Sequence, residues 1–201
     1  MEFMKEALAL ARQAGAEGEV PVGCVIVRNG EIVGRGRNCR ETGKTALGHA
    51  EIEAIRDACQ TLGGWRLWEC TLYVTLEPCP MCMGTMVMGG IRRIVIGARD
   101  AHGGAMHLIE HSTFLKNKNI SISWMPQEYG DIQRAFQTLK ELLYSTDNER
   151  LERILIDFSV HNAKGVEAAK ELIQEGLFEG KQPALYSAEE IFDRLMAIME
   201  R

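Results

Sequence analysis

Apolar side chains recur at helical spacing from Met1 to Ala16, with Phe3, Ala7, Leu10, Ala11 and Ala14 on one face. This predicts an amphipathic helix stopped by Gly15 and Gly18. Val20–Val27 is a near-continuous apolar run of β type. Asn29-Gly30 behind it is a favoured two-residue hairpin turn, so Glu31–Arg37 is expected to return antiparallel. Helical spacing resumes over His49–Leu62, with Ile52, Ile55, Cys59 and Leu62 facing inward and Gly63-Gly64 as the stop. Thr71–Glu77 reads as a strand, Pro80–Met88 as a short helix ended by Gly89-Gly90, and Arg93–Ala98 as another β run. A helix is expected near Met106–Phe114. Ile120, Ile122 and Trp124 alternate as in a strand, and Ile132, Ala135, Phe136, Leu139, Leu142 and Leu143 form the next helical stripe.

This order describes an α/β three-layer domain whose later strands are joined by crossover helices. Thr146-Asp147-Asn148-Glu149 marks a break with helix-start character. Three stripes follow it: Leu151, Ile154, Leu155 and Phe158; Val166, Ala169, Ile173 and Leu177; Ile191, Leu195, Ile198 and Met199. Ser187-Ala188-Glu189-Glu190 has the capping-box pattern for the last. The expected organisation is one domain over residues 1–146 and a helical C-terminal extension over 147–201. At about 55 residues the extension is too small to fold comfortably alone, so it is expected to pack on the core or on a partner subunit.

Composition narrows the class without naming the chemistry. A chain of 201 residues, 46% hydrophobic and 25% charged, is ordinary globular material. No apolar run approaches the roughly 18 residues of a membrane span. The start carries Glu2, Lys5, Glu6, Arg12 and Glu17, unlike a secretory signal, so a soluble cytoplasmic protein is expected. In that compartment Cys24, Cys39, Cys59, Cys70, Cys79 and Cys82 are expected as thiols or metal ligands, not disulfides. Residues 1–146 carry 16 basic and 16 acidic side chains, and residues 147–201 carry 7 and 12. Neither part has the basic footprint of a nucleic-acid binder, although a small basic patch fits inside a neutral sum.

The chemistry is concentrated in two short motifs. His49-Ala50-Glu51 opens one helix, and Pro78-Cys79-Pro80-Met81-Cys82 ends a strand and opens another. Cysteines at i and i+3 share a helical face, and two thiolates with an imidazole suit tetrahedral zinc. Three protein ligands leave a fourth position for water, as in catalytic zinc sites, whereas structural zinc normally takes four residues. Helix N-termini favour thiolate over thiol. Glu51, two residues from a ligand, is placed to move the proton of a water whose pKa zinc lowers from about 16 to about 7. A lone His-x-Glu is usually a surface accident, and a lone Cys-x-x-Cys is shared among redox pairs, structural zinc and nothing at all. Both together, each at a helix start, point to catalytic zinc.

The pair of motifs resembles the signature of the zinc nucleobase deaminases. The chain is similar to the cytidine/deoxycytidylate deaminase superfamily, and within it to the bacterial tRNA adenosine deaminases that make inosine at the wobble position. Glu19–Gly23, Asn38, His49–Ile52, Trp65–Leu67, Leu72–Cys82 and Gly97–Asp100 carry the resemblance, which covers about residues 1–145. It implies a cytidine-deaminase-like α/β/α fold with a five-stranded mixed sheet, zinc on His49, Cys79 and Cys82, and proton transfer by Glu51. It also implies a homodimer. Asn38 is expected to hold the base, and the amides of Ala50 and Cys79 to face the reacting groups. Val22 and His102 complete the candidate substrate-binding set with Asn38 and Ala50.

Thr45-Ala46-Leu47-Gly48 stands where the tRNA enzymes usually carry Asp-Pro-Thr-Ala, and Ala101–Ala105 replaces a Lys-bearing loop. The substrate therefore stays open between a tRNA anticodon loop and a free nucleoside or nucleobase such as adenosine, guanine or cytidine. A zinc-stabilised scaffold without activity is the third reading, against which the intact Glu51 argues.

Overall fold

The computed structural model describes residues 2–176 and 188–199. Helix α1 (Glu2–Ala16) precedes the hairpin β1 (Gly23–Arg28) and β2 (Glu31–Arg37), closed by Asn29 and Gly30 at φ 53° and 83°. Then come α2 (Ala50–Leu62), β3 (Thr71–Leu76), α3 (Pro80–Gly89) and β4 (Arg93–Ala98). A 3-10 turn (Met106–His111) and the short α4 (Thr113–Lys116) stand where a single helix is expected from the sequence. Strand β5 (Ser121–Trp124), α5 (Gln127–Tyr144), α6 (Asn148–Gln174) and α7 (Ala188–Met199) complete the chain. Strand β1 begins later than the apolar run suggests. Pro21 has no N–H to give a ladder, and the Val22 amide turns back on the Val20 carbonyl at 2.8 Å.

The sheet order is β2-β1-β3-β4-β5, with β1 antiparallel to both neighbours and β3, β4 and β5 parallel. This is the expected five-stranded mixed sheet. Period-2 alternation divides each central strand between two cores. Cys24 and Ile26, Leu72 and Val74, and Ile94 and Ile96 face α2 and α3. Val25, Val27, Tyr73 and Val95 face α1, α5, α6 and α7. Helices on both faces explain why these strands read as continuous apolar runs.

Two glycines bring α2 down onto the sheet. A Cβ at Gly36 would lie 2.1 Å from the Ala50 carbonyl oxygen, and one at Gly34 would lie 2.4 Å from that of Ala54. Only a bare backbone lets the helix start rest this close. On the opposite face, the first two stripes of the extension form one helix, α6, broken at Asn162 (φ −137°, ψ 51°). Leu172 in α6 and Ile191 and Leu195 in α7 are fully buried beside α1 and α5. The extension thus packs on the core. The Ser187 capping box and Leu177 lie outside the described residues. Among the described residues, no helix is long and apolar enough to cross a membrane.

Candidate metal and catalytic site

His49 and Cys79 are the N-caps of α2 and α3. Pro80 at the first helical position pushes Cys79 into extended conformation (φ −73°, ψ 171°) without losing a needed hydrogen bond. The His49 ring makes no capping hydrogen bond to its own helix. The imidazole and the thiol turn instead toward each other, and Cys82 joins them from the first turn of α3. His49 Nδ1 lies 3.7 Å from Cys79 Sγ and 3.6 Å from Cys82 Sγ. The three donor atoms fall within 4.8 Å of one another. Zn–N and Zn–S bonds at the tetrahedral angle set nitrogen and sulfur roughly 3.6 Å apart. The donor set and its spacing therefore fit zinc, with His49 bound through Nδ1.

The protons of the three groups are linked. Hydrogen bonds from Cys82 and His49 hold the Cys79 thiol low, at about 3. The hydrogen bond to Cys79, together with burial, drives Cys82 far above the usual thiol range. His49 is raised by its bond to Cys79. Cys24, Cys39, Cys59 and Cys70 are pushed up by burial first of all and have no such partners. All six cysteines are free thiols.

Glu51, the second residue of α2, is 4% exposed and hydrogen-bonds Cys82, so its carboxyl faces the three donors. Burial raises it to about 7, against the lowering effect of a backbone hydrogen bond. Asn38 is buried just after β2, its amide on the Val22 carbonyl at 3.0 Å and its Oδ1 accepting from the Arg40 amide at 3.2 Å. Val22 and Asn38 thus sit side by side, and Ala50 is fully buried at the start of α2. His102 is placed differently. It is largely exposed, and its Nε2 lies 3.0 Å from Asp157 Oδ2 of α6.

Three residues have supporting roles that the sequence motifs do not reveal. The buried Glu19 accepts from the Thr42 amide (2.7 Å), the Thr42 hydroxyl (2.9 Å) and the Glu41 amide (3.2 Å), fixing the loop before His49. Glu77 accepts from the amides of Asp100 and Met106, both at 3.2 Å, fixing the loop after β4. Arg134 donates to the Arg99 carbonyl at 2.8 Å. Each acts on residues distant in the chain, so no local pattern betrays it.

Residues 1–98 match the family model described as the cytidine and deoxycytidylate deaminase zinc-binding region. The chain is 44% identical over 138 residues to a tRNA-specific adenosine deaminase of Bacillus subtilis (strain 168), a match covering 67% of this chain and 86% of that one. This chain belongs to the cytidine and deoxycytidylate deaminase family. It is a hydrolytic deaminase with a zinc-binding domain. A tRNA-specific adenosine deaminase of Aquifex aeolicus (strain VF5) is 37% identical over 150 residues, covering 73% of this chain and 95% of that one. Among solved structures, one from studies of A-to-I editing by tRNA:A34 deaminases at the wobble position aligns with TM-score 0.54 and 38% identity. That match covers 62% of this deaminase and 97% of the other chain. A guanine deaminase from Nitrosomonas europaea shares the fold at 22% identity and TM-score 0.56, over 67% of this chain and 82% of that one.

Proposed function

We propose that this deaminase converts adenosine at the wobble position of a tRNA anticodon to inosine. The observation that carries the chemistry is the buried Glu51 carboxyl facing the His49, Cys79 and Cys82 donors across two adjacent helix starts. The similarity to tRNA-specific adenosine deaminases over most of residues 1–146 supports the substrate.

His49 Nδ1 and the sulfurs of Cys79 and Cys82 would hold the zinc, which would supply the Lewis acidity that makes a water acidic near neutral pH. The Glu51 carboxylate takes a proton from the attacking water as the water oxygen adds to C6 of the base. Glu51 delivers that proton to N1, then takes the remaining proton from the hydroxyl now on C6 and passes it to the exocyclic nitrogen as the C6 carbonyl forms, the C6–N bond breaks and ammonia leaves. Asn38, beside Val22, holds the base by its side-chain amide, and the Ala50 backbone closes the pocket from the start of α2. Free N–H groups at two helix starts favour the negative charge that develops on the reacting oxygen.

The protein acts as a homodimer in this proposal. Trp65, Trp68 and Met88, at 56%, 61% and 66% exposure, offer apolar surface around the end of α3 that a second copy would cover. A cytoplasmic location suits both the substrate and six free thiols.

The deciding experiment offers zinc-loaded protein an anticodon stem-loop RNA, adenosine, guanine and cytidine, scored by ammonia release and product mass. Inosine in the RNA with the free compounds untouched is the expected result. Ammonia from a free nucleoside or base with the RNA unchanged overturns the substrate, and silence throughout overturns the activity.

A further inference from the structure

The loop between β4 and the 3-10 turn borders the zinc site. The Ala105 amide donates to the carbonyl of Pro78 at 2.9 Å, one residue before the ligand Cys79. Both carboxylate oxygens of Glu77 accept from the ends of the same loop, at Asp100 and Met106. Where this loop stands therefore decides the shape of the site on the Cys79 side.

Helix α6 holds the loop from outside. It runs back along α5, with Arg150 on Glu141 at 3.2 Å near one end and Gln127 on the His161 carbonyl at 2.9 Å near the other. At the break, Asn162 Nδ2 donates to Asp131 Oδ1 at 2.9 Å. Beyond it, a Cβ at Gly165 would lie 2.0 Å from the Asp131 carbonyl oxygen, so the crossing admits nothing larger than glycine. A helix fixed this firmly delivers two neighbouring side chains to the loop. The Phe158 ring stacks on the buried Arg134 guanidinium at 4.5 Å, and Arg134 carries the Arg99 carbonyl at 2.8 Å. Asp157 meets His102 at 3.0 Å. An exposed polar contact alone holds little. Joined to the Phe158–Arg134 contact behind the Arg99 carbonyl, it holds the loop at two points.

We propose that Phe158 and Asp157 of α6 are positioning residues of this deaminase, holding the Arg99–Ala105 loop against Glu77 and Pro78 through Arg134 and His102 so that it forms a fixed wall of the substrate pocket. The proposal rests on the tRNA reading for its kinetic test, although not for its structural one.

The experiment uses the full-length, zinc-loaded chain with an anticodon stem-loop RNA, together with hydrogen exchange at the loop amides. Phe158→Ala raises KM about tenfold, leaves kcat within about twofold and keeps the wild-type zinc content. In the same variant the amides of Gly104, Ala105 and Met106 exchange about tenfold faster while those of α2 do not change. Phe158→Tyr, which keeps a ring over Arg134, restores both. Asp157→Asn shifts both readouts the same way by about two- to threefold with an unchanged melting temperature, and serves alone if Phe158→Ala fails to fold. Wild-type KM and wild-type exchange in both variants overturn the proposal. A wild-type protein inert on the RNA counts against the substrate, and the exchange measurement then decides the loop by itself.

Discussion

The two faces of the sheet are built from the same strands by the same alternation, yet they do different work. On one face α2 and α3 begin at the candidate zinc ligands, so their starts are polar and close to the sheet: His49 and Cys79 are half-buried there, Glu51 and Cys82 buried. On the other face α1, α5, α6 and α7 meet in an apolar core of Met4, Leu8, Ile132, Phe136, Leu172 and Leu195. The difference teaches that chemistry and stability are separable here by face. Substitutions at Glu51 and the donor set should end turnover in a folded protein, and substitutions in the apolar core of the second face should unfold a competent one.

The sharpest break is Glu51→Gln. The carboxyl touches the donor set without belonging to it, so the variant keeps its zinc while kcat falls by about 10²–10⁴. Ammonia release alongside metal content checks this, and turnover within tenfold of wild type would remove Glu51 from its role. The counterpart on the other face is Leu172→Ala. Leu172 is fully buried, and its loss costs roughly 2–5 kcal/mol of stability. Denaturant unfolding measures that cost. At a temperature where the variant stays folded, kcat should match wild type within about twofold.

Gly36→Ala probes where the separation fails. Its added carbon would meet the Ala50 carbonyl at 2.1 Å and the Ala54 amide nitrogen at 2.3 Å, so α2 must lift from the sheet. Overpacking of this kind costs roughly 1–3 kcal/mol, and α2 carries His49 and Glu51 away with it. Zinc affinity and kcat are expected to fall together with the melting temperature. A variant that loses stability alone would mean the helix start is free to move without consequence.

The first face is the more legible in sequence because its logic is local. The i, i+3 spacing of Cys79 and Cys82, the proline between them and the strand before them state a turn and a helix face within five residues. The strands of both faces are legible for the same reason, through period-2 alternation. What stays hidden is any contact whose partners lie far apart. The apolar stripes of the extension predict helices but not that two of them continue through Asn162 as α6, since the break is fixed by Asp131 on another helix. His102 reads as a pocket residue in a glycine-bearing loop, and its pairing with Asp157 could not be inferred before α6 was placed. In the sequence Trp65 and Trp68 read first as core or subunit-contact aromatics and second as aromatics that stack a base. In the structure they are exposed with Arg66 stacked against them, at 4.5 and 5.7 Å, so the core alternative is excluded.

Glu19 gives the smallest and most discriminating test, because it supports the first face without any part in the chemistry. Burial alone would raise its carboxyl, but the amides of Thr42 and Glu41 and the Thr42 hydroxyl bond the charged form and leave the pKa below its ordinary 4.5. A carboxylate with a depressed folded-state pKa contributes stability that is complete above the unfolded value. That contribution is lost as pH falls through the folded value. Glu19→Gln keeps an acceptor oxygen but no charge, so it is expected to cost roughly 1 kcal/mol near neutral pH. The gap to wild type should hold steady down to the ordinary carboxylate pKa and then close below it, as the wild-type group takes up its proton. Unfolding curves collected from neutral to acid pH on both proteins measure the gap directly. A gap that persists unchanged at the acid end would assign the effect to side-chain shape and leave the charge of Glu19 without a role in holding the loop before His49.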